Sequence, residues 1–293
     1  MKNYFAGAKN APHRFRSTKE SPILINDASS LFSRDQFVNG EITTLKPTLR
    51  SKQLAHKLLP SVGHNLRGEG AFETLVSLLR KQAENPVVLI VGSGNIGRGI
   101  QTLTNQPDIE VVESDVCFSG RVEVLCDAHD IPFETASFDG IVVQKVIPNV
   151  ADPYRCVEEI HRILNRSGLV YAETAFLLPV HLGPYDFTRF THLGHRRLFR
   201  CFDEVDSGAV AGPGMALAWA FRSFLLSFTC GAAGRALMEV MARLTSFWLK
   251  YFDYFFIDRP GAFDAAPGYY FLGRKMETAL SDKALIKLYR GRE

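Results

Sequence analysis

At 293 residues the chain can bury one sizeable core and still carry an insertion or a helical cap. Its net charge of +3, with both signs interspersed, leaves it without a dominant basic surface, so no nucleic-acid partner is expected. The 5 cysteines, Cys117, Cys126, Cys156, Cys201 and Cys230, form no CxxC pair and no metal-ligand spacing, which argues against structural zinc and suggests reduced thiols in the cytoplasm.

Residues 1–20 are basic and hold no apolar run long enough for a secretory signal; they read as a flexible, solvated arm, with an organelle transit peptide as the alternative. A lead-in and helix occupy 21–85. Within them, Phe72, Leu75, Val76, Leu78 and Leu79 have the spacing of one helix face, which predicts a helix over Ala71–Lys81 that ends before Asn85-Pro86. The loop ahead of it, GHNLRGEG, is placed to cover a ligand. Arg67 in that loop could grip a ligand carboxylate, but a solvated surface role is preferred.

The run VVLIVGSGNIGRGI from Val87 to Ile100 is the most informative stretch. An apolar strand is followed by Gly92, Gly94 and Gly97 and then by a helical pattern. Next comes IEVVESDV, a second strand carrying Glu113 and Asp115. Glycines let backbone N–H groups approach a ligand closely, and a carboxylate can accept both hydroxyl protons of a ribose. Strand, glycine turn, helix and acidic strand end describe a site for an adenosine-containing cofactor. Period-two alternation puts Glu113 and Asp115 on one face, and the choice between them stays open. The link from Asp115 to Asp127 is too short for a helical crossover, so one sheet face there needs cover from another element, such as the amino-terminal segment.

The following segment has a distinctive order: Asp127, then Pro132-Phe133, then Ser137-Phe138-Asp139 opening a fourth strand, a helix from Asp152-Pro153 to Ser167-Gly168, and a fifth strand. Over Val87 to about Phe176 this order resembles class I S-adenosylmethionine-dependent methyltransferases of the type 11 group. The resemblance implies a Rossmann-like, doubly wound α/β fold with a mostly parallel seven-stranded sheet and an antiparallel last strand. It also implies S-adenosyl-L-methionine as cofactor. Gly92, Gly94 and Gly97 would form the cofactor turn, Glu113 or Asp115 would hold the ribose, and Asp127 would accept from the adenine amino group. Ala128 and His129 would line the adenine, with Gln144 also among the cofactor-binding residues. The segment SPILINDASSLFSRDQF is similar to a lead-in that follows a zinc module in some methyltransferases, without that module's cysteines.

Three positions depart from the family pattern. Ile90 stands where an acidic residue is usual, Pro148-Asn149 replaces a Glu-His pair, and Gly97 falls one residue late. The last spacing is closer to NAD(P)-dependent oxidoreductases, which remain the alternative, along with a catalytically inactive methyltransferase-like binding protein.

Methyl transfer is a direct displacement, so alignment and exclusion of water matter most. The loop after the fifth strand, ETAFLLPVHLGPYDFTRFTHLGHRRLF, leaves the edge of the sheet where ligands bind. It resembles a loop in a type 11 subgroup and gathers Glu173, His181, Tyr185, Asp186 and Arg189. His181 is the candidate base or substrate contact, Tyr185 a pocket wall, and Asp186 is grouped with them as catalytic, although an Asp186–Arg189 pair fixing the loop is its preferred role. His192 and His195 are expected on the surface.

Phe202–Ser207 suits a sixth strand and Gly268–Lys275 the last one, giving a core of 86–208 and 263–276, a helical insertion over 209–262 and a tail over 277–293. The insertion is rich in Leu, Phe, Trp and Tyr. Arg222, Glu239, Arg243 and Lys250 interrupt it too often for a membrane span. A cap on the sheet, a homodimer interface and a peripheral membrane contact through 212–256 are the three readings. The expected activity is methyl transfer to a small-molecule, lipid or glycan acceptor by a protein that is cytoplasmic or peripheral to a membrane.

Overall fold

Val87–Val91 is apolar throughout and forms the central strand β1, buried along its whole length, as a strand covered on both faces must be. The structure, a computed structural model, describes residues 23–26, 30–33, 35, 59–94, 97–117 and 121–292; the arm over 1–20 and much of the lead-in lie outside them. Around β1 the sheet is built from β2 (Glu110–Asp115), β3 (Val124–Leu125), β4 (Phe138–Gln144), β5 (Leu164–Ala175), β6 (Phe202–Ala209) and β7 (Gly268–Lys275), in the order β3-β2-β1-β4-β5-β7-β6. β1 to β5 are parallel, and β7 runs antiparallel to both β5 and β6. The chain winds outward from β1 to β3 and resumes at β4 on the other side of β1. In open α/β sheets that reversal opens a ligand crevice at the carboxyl ends of the strands.

Alternation along β1 divides the core in two. Val88 and Ile90 face α1 (Gly68–Gln82) and α2 (Ile100–Thr104), packing with Phe72, Leu75, Leu79, Leu103 and Tyr171. Leu89 and Val91 face α3 (Pro153–Ile163) and α4 (His192–Leu198), with Ile160, Phe199 and Phe271. The α1 stripe lies where the spacing predicts it. The helix begins three residues earlier than expected because Asn65 Oδ1 accepts the N–H groups of Arg67 and Gly68 at 3.1 and 2.8 Å, satisfying donors that a helix start leaves orphaned.

Asp152 caps α3 through Tyr154 N–H and Arg155 N–H, with Pro153 at the first helical position. The helix ends at Ile163, short of the expected Ser167-Gly168. Leu164 pairs with Phe138, and the register then jumps to Gly140 and Leu169, so sheet pairing captures the segment and 165–168 form an irregularity within β5. Among the described residues between β2 and β3 there is no helix. Ile23 bridges Leu125 in parallel, and Ile23, Ile25 and Phe32 pack on Val116, Val122 and Leu125, so the lead-in covers that edge.

β6 is parallel to β1 to β5, so its carboxyl end at Ala209 lies on the crevice edge of the sheet. From there rises a helical insertion: α5 (Pro213–Ser227), α6 (Ala232–Ser246), a 3-10 segment (Phe247–Phe252), α7 (Asp253–Phe256) and α8 (Pro260–Asp264). Arg222 of α5 and Arg243 of α6 both pair with Glu239. The insertion leans on the loop before α1, where Asp253 meets His64 and Lys250 bonds Ser61 O. A short helix, α9 (Asp282–Ile286), follows β7. Among the described residues no helix is long and apolar enough to cross a membrane, and no group of three potential metal ligands forms.

Candidate active site

Gly92 follows β1 with φ of 81°, a left-handed conformation, and a Cβ there would sit 2.1 Å from Val146 Cγ2; only glycine satisfies both constraints. The turn folds onto β2. Gly92 N–H and Ser93 N–H donate to Ser114 O at 2.8 and 3.0 Å, and Gly94 N–H donates to Asp115 Oδ2 at 2.7 Å. Asp115 Oδ1 accepts from Cys117 N–H at 2.9 Å. Asp115 therefore stands at the carboxyl end of β2 as the hub of the turn. An ionised carboxylate has about four acceptor positions, so two bonds leave room for a diol. Burial pushes the Asp115 carboxyl up, while the backbone N–H groups oppose that shift. Glu113 lies two residues further back, in register with Ile90, and its carboxylate meets Arg121 Nη2 at 2.8 Å. It is Asp115 that adjoins the turn.

The segment after β3 forms a second polar cluster. Asp127 accepts from His129 N–H at 2.9 Å, meets His129 Nδ1 at 2.6 Å and accepts from Ser30 Oγ. Burial opposes its charge, but these hydrogen bonds prevail and hold it below the usual carboxylate range. The second ring nitrogen, His129 Nε2, accepts from Asp152 N–H at 3.0 Å, which assigns the His129 proton to Nδ1. His129 is thus pinned at both nitrogens between Asp127 and the start of α3. Only its ring faces remain to line a ligand, together with the buried Ala128.

At the ends of β4 and β5 lies a third cluster. Gln144 Nε2 donates to Glu173 Oε1 at 3.0 Å and lies 3.3 Å from Arg98 O. Gln144 Oε1 is buried without a donor. A Cβ on Gly97 would stand 2.5 Å from that oxygen, so Gln144 lies directly against the glycine turn. Asn65 and Tyr171 also bond Glu173. Asn65 was not visible in the sequence as a site residue, because its place depends on how the loop before α1 folds over the sheet.

Comparison with known proteins bears on this geometry. Residues 90–172 match the family described as a methyltransferase domain, a stretch that runs from within β1 to within β5 and holds the glycine turn, Asp115, Asp127, His129 and Gln144 but ends before Glu173. Over residues 90–172 this chain carries a methyltransferase domain of the S-adenosylmethionine-dependent kind. Solved structures similar to it include a protein described as a sarcosine dimethylglycine methyltransferase from Galdieria sulphuraria, 14% identical with a TM-score of 0.48 over 72% of this chain and 86% of that one. Phosphoethanolamine N-methyltransferase 2 of Haemonchus contortus with S-adenosyl-L-methionine is 14% identical, with a TM-score of 0.47 over 83% and 60%. The 1,6-didemethyltoxoflavin-N1-methyltransferase of Burkholderia thailandensis is 15% identical, with a TM-score of 0.41 over 71% and 80%. No curated protein sequence matches significantly.

In this methyltransferase domain the loop after β5 is tied back to the end of β4: Phe187 N–H and Thr188 N–H donate to Pro148 O at 2.9 and 3.0 Å. The Pro148-Asn149 departure is therefore the loop's docking point. Asp186 binds Arg189 Nη2 at 2.6 Å and accepts from His181 N–H at 2.7 Å. The Arg189 hydrogen bonds hold Asp186 below the usual carboxylate range, which makes it a clasp for the loop and a poor base. His181 is exposed; its ring makes no hydrogen bond among the described residues but stands close enough to Asp186 to add to the lowering of that carboxyl. Tyr185 is half exposed beside Phe32 at 5.8 Å. No hydrogen bond or ring contact among the described residues joins His181 or Tyr185 to Asp115, Asp127 or Gln144.

One further expectation is corrected, and Arg67 keeps the surface role preferred for it. His192 and His195, expected on the surface, are 7% and 2% exposed, because α4 lays them on β7 and its neighbours: His192 sits edge-on to Phe263 and Tyr269, His195 to Phe199 and Phe271. Arg67 reaches no crevice group and pairs with Asp258 of the insertion. Burial pushes the Cys126 thiol up to about 12 and Cys156 higher still, so neither is a nucleophile at neutral pH.

Proposed function

We propose that this chain transfers a methyl group from S-adenosylmethionine to a small, lipid-borne acceptor presented at the crevice mouth. The observation that carries the cofactor part is the convergence of three preformed groups at the carboxyl ends of β1 to β5: the Gly92 turn with Asp115, Asp127 with His129, and Gln144 with its unsatisfied buried oxygen against Gly97. When bound, S-adenosylmethionine supplies an electrophilic methyl group. Asp115 would accept from the ribose hydroxyls, and Asp127 from the adenine amino group in the place of, or beside, Ser30. His181, exposed beside Asp186, is the candidate base for a hydroxyl acceptor, and Tyr185 a wall of the acceptor pocket. Because the chemistry is displacement, these residues mainly hold, orient and exclude water.

For the acceptor, the insertion is the guide. It rises from the crevice edge, and its Lys250 is close enough to Arg98 of the glycine turn for that charge, added to burial, to lower its pKa. Leu217, Phe224, Phe228, Leu237, Leu244 and Trp248 are all exposed on it. Three of its four acids are neutralised or hidden: Glu239 pairs with Arg222 and Arg243, Asp258 with Arg67, and Asp253 is buried; the fourth, Asp264, ends α8 and bonds Tyr289. Arg235 and Arg259 stay exposed. An apolar, aromatic and basic surface with most of its acids paired or buried suits an anionic bilayer on which the helices lie.

In calorimetry the protein should bind S-adenosylmethionine and S-adenosylhomocysteine but not NAD. Asp127→Ala should weaken that binding by about 1 to 3 kcal/mol, the cost of a lost buried hydrogen bond. No heat with either sulfur compound would remove the cofactor reading, and unchanged affinity would remove Asp127 from the site. In flotation, intact protein should rise with phosphatidylserine-containing vesicles, and a Phe224→Ser, Phe228→Ser, Trp248→Ser variant should not. A dimer in light scattering that never floats would transfer this surface to self-association.

A further inference from the structure

We propose that Glu173 and Gln144 together form a binding site for a primary ammonium group, filled by the amino-acid end of the cofactor. The proposal rests on the cofactor reading above, yet it arises from a separate observation. Glu173 closes β5, is 2% exposed, and is placed in register beside Gln144 at the end of β4. Its Oε1 is saturated by three neutral donors: Tyr171 Oη at 2.6 Å, Asn65 Nδ2 at 2.9 Å and Gln144 Nε2 at 3.0 Å. Among the described residues Oε2 accepts nothing, and no Lys, Arg or His pairs with the carboxylate. A buried charge without a counter-charge is costly, and neutral donors offset only part of that cost.

The neighbouring amide supplies the second half. Gln144 is 6% exposed, spends its N–H donors on Glu173 and Arg98 O, and leaves Oε1 buried with no donor. A carboxylate and a carbonyl oxygen, both acceptors and both short of donors, call for a compact cation with several N–H bonds. An ammonium, with three donors and one charge, has that inventory; a hydroxyl has one donor and no charge. The site lies against Gly97, where any Cβ would collide with the Gln144 amide. Burial and the Glu173 charge push the Tyr171 hydroxyl well above its ordinary range, so it remains a neutral donor holding the carboxylate in place. On β1 Ile90, in register with Val142, is buried in the apolar core; the negative charge reaches the turn from β5 instead.

An amine acceptor offers the same ammonium chemistry, and titration separates the two sources. S-adenosylhomocysteine carries the ammonium, whereas 5′-methylthioadenosine keeps the nucleoside and lacks it. Glu173→Gln should lower affinity for S-adenosylhomocysteine at least tenfold and for 5′-methylthioadenosine less than twofold, and Gln144→Leu should do the same more weakly. A melting temperature for Glu173→Gln within a few degrees of wild type establishes that the variant folds. Equal losses for both compounds, or no loss for either, would overturn the proposal while leaving the cofactor reading intact. Absence of wild-type binding to either compound would overturn both. If Glu173→Gln keeps its S-adenosylhomocysteine affinity but loses a thermal stabilisation that ethanolamine gives the wild type, the ammonium belongs to the acceptor, and the proposal that the cofactor fills the site is overturned.

Discussion

Asp253→Ala should cost about 3 to 5 kcal/mol of folding stability, from a lost helix cap and buried donors left without an acceptor. Asp253 is 0% exposed. Its Oδ1 accepts from Gly214 N–H at 2.7 Å, and its Oδ2 accepts from Met215 N–H at 3.0 Å and meets His64 Nε2 at 3.1 Å. The first two bonds cap α5, whose own flanking residue Gly212 has no side chain to do so, and a negative charge at that end also complements the helix dipole. The space admits nothing larger at Gly214, where a Cβ would lie 2.2 Å from Leu249 O. The third bond ties the insertion to the loop carrying Asn65, hence to Glu173. Urea denaturation should register the loss, and limited proteolysis should cut between residues 212 and 262 in the variant first. A loss below 1 kcal/mol would show that α5 is held by its apolar contacts alone.

Why that carboxylate escaped the sequence reading is instructive. Asp253 caps a helix that begins 40 positions earlier, and nothing local in YFDYFF reports it. Strands were legible where the whole run is apolar, as in VVLIV, or bounded by glycine and charge, as in GYYFLGRK, because burial on both faces leaves no other use for such a run. The end of α3 was not, since pairing of Leu164 with Phe138 overrode a helical pattern that continued on paper. In the site, Gly92, Asp115 and Asp127 are strand-end residues whose setting follows from local order. Asn65 and Glu173 meet only through the fold, 108 positions apart. His192 and His195 were misread because a helix of 7 residues has too few turns to show which face it buries.

That same pair of histidines sets the second large expectation: on acidification from pH 7 to pH 5 the protein should lose roughly 3 to 4 kcal/mol of stability through these two groups. Burial, with Arg290 next, lowers His192 to about 4, and burial, with His192 next, lowers His195 to about 3. Both rings are therefore neutral in the folded protein at pH 5, whereas in the unfolded chain a histidine takes up a proton below about 6.5. The unfolded state binds more protons across that window, so stability is fully present above about 6.5 and falls as pH drops toward the folded values, by on the order of 2 kcal/mol per ring at pH 5. No rearrangement within α4 relieves this, because His192 Nδ1 and His195 Nε2 are buried with no partner. Denaturation of His195→Leu at both pH values should show the pH-dependent loss reduced by about 2 kcal/mol, and the double variant with His192→Leu should nearly abolish their share. An unchanged slope in the double variant would mean that α4 opens to water before either ring is charged. The functional consequence follows from position: Thr191 caps α4 at the exit of the loop that carries His181 and Tyr185, so acid that loosens α4 from β7 also loosens that loop, the proposed acceptor side of the crevice.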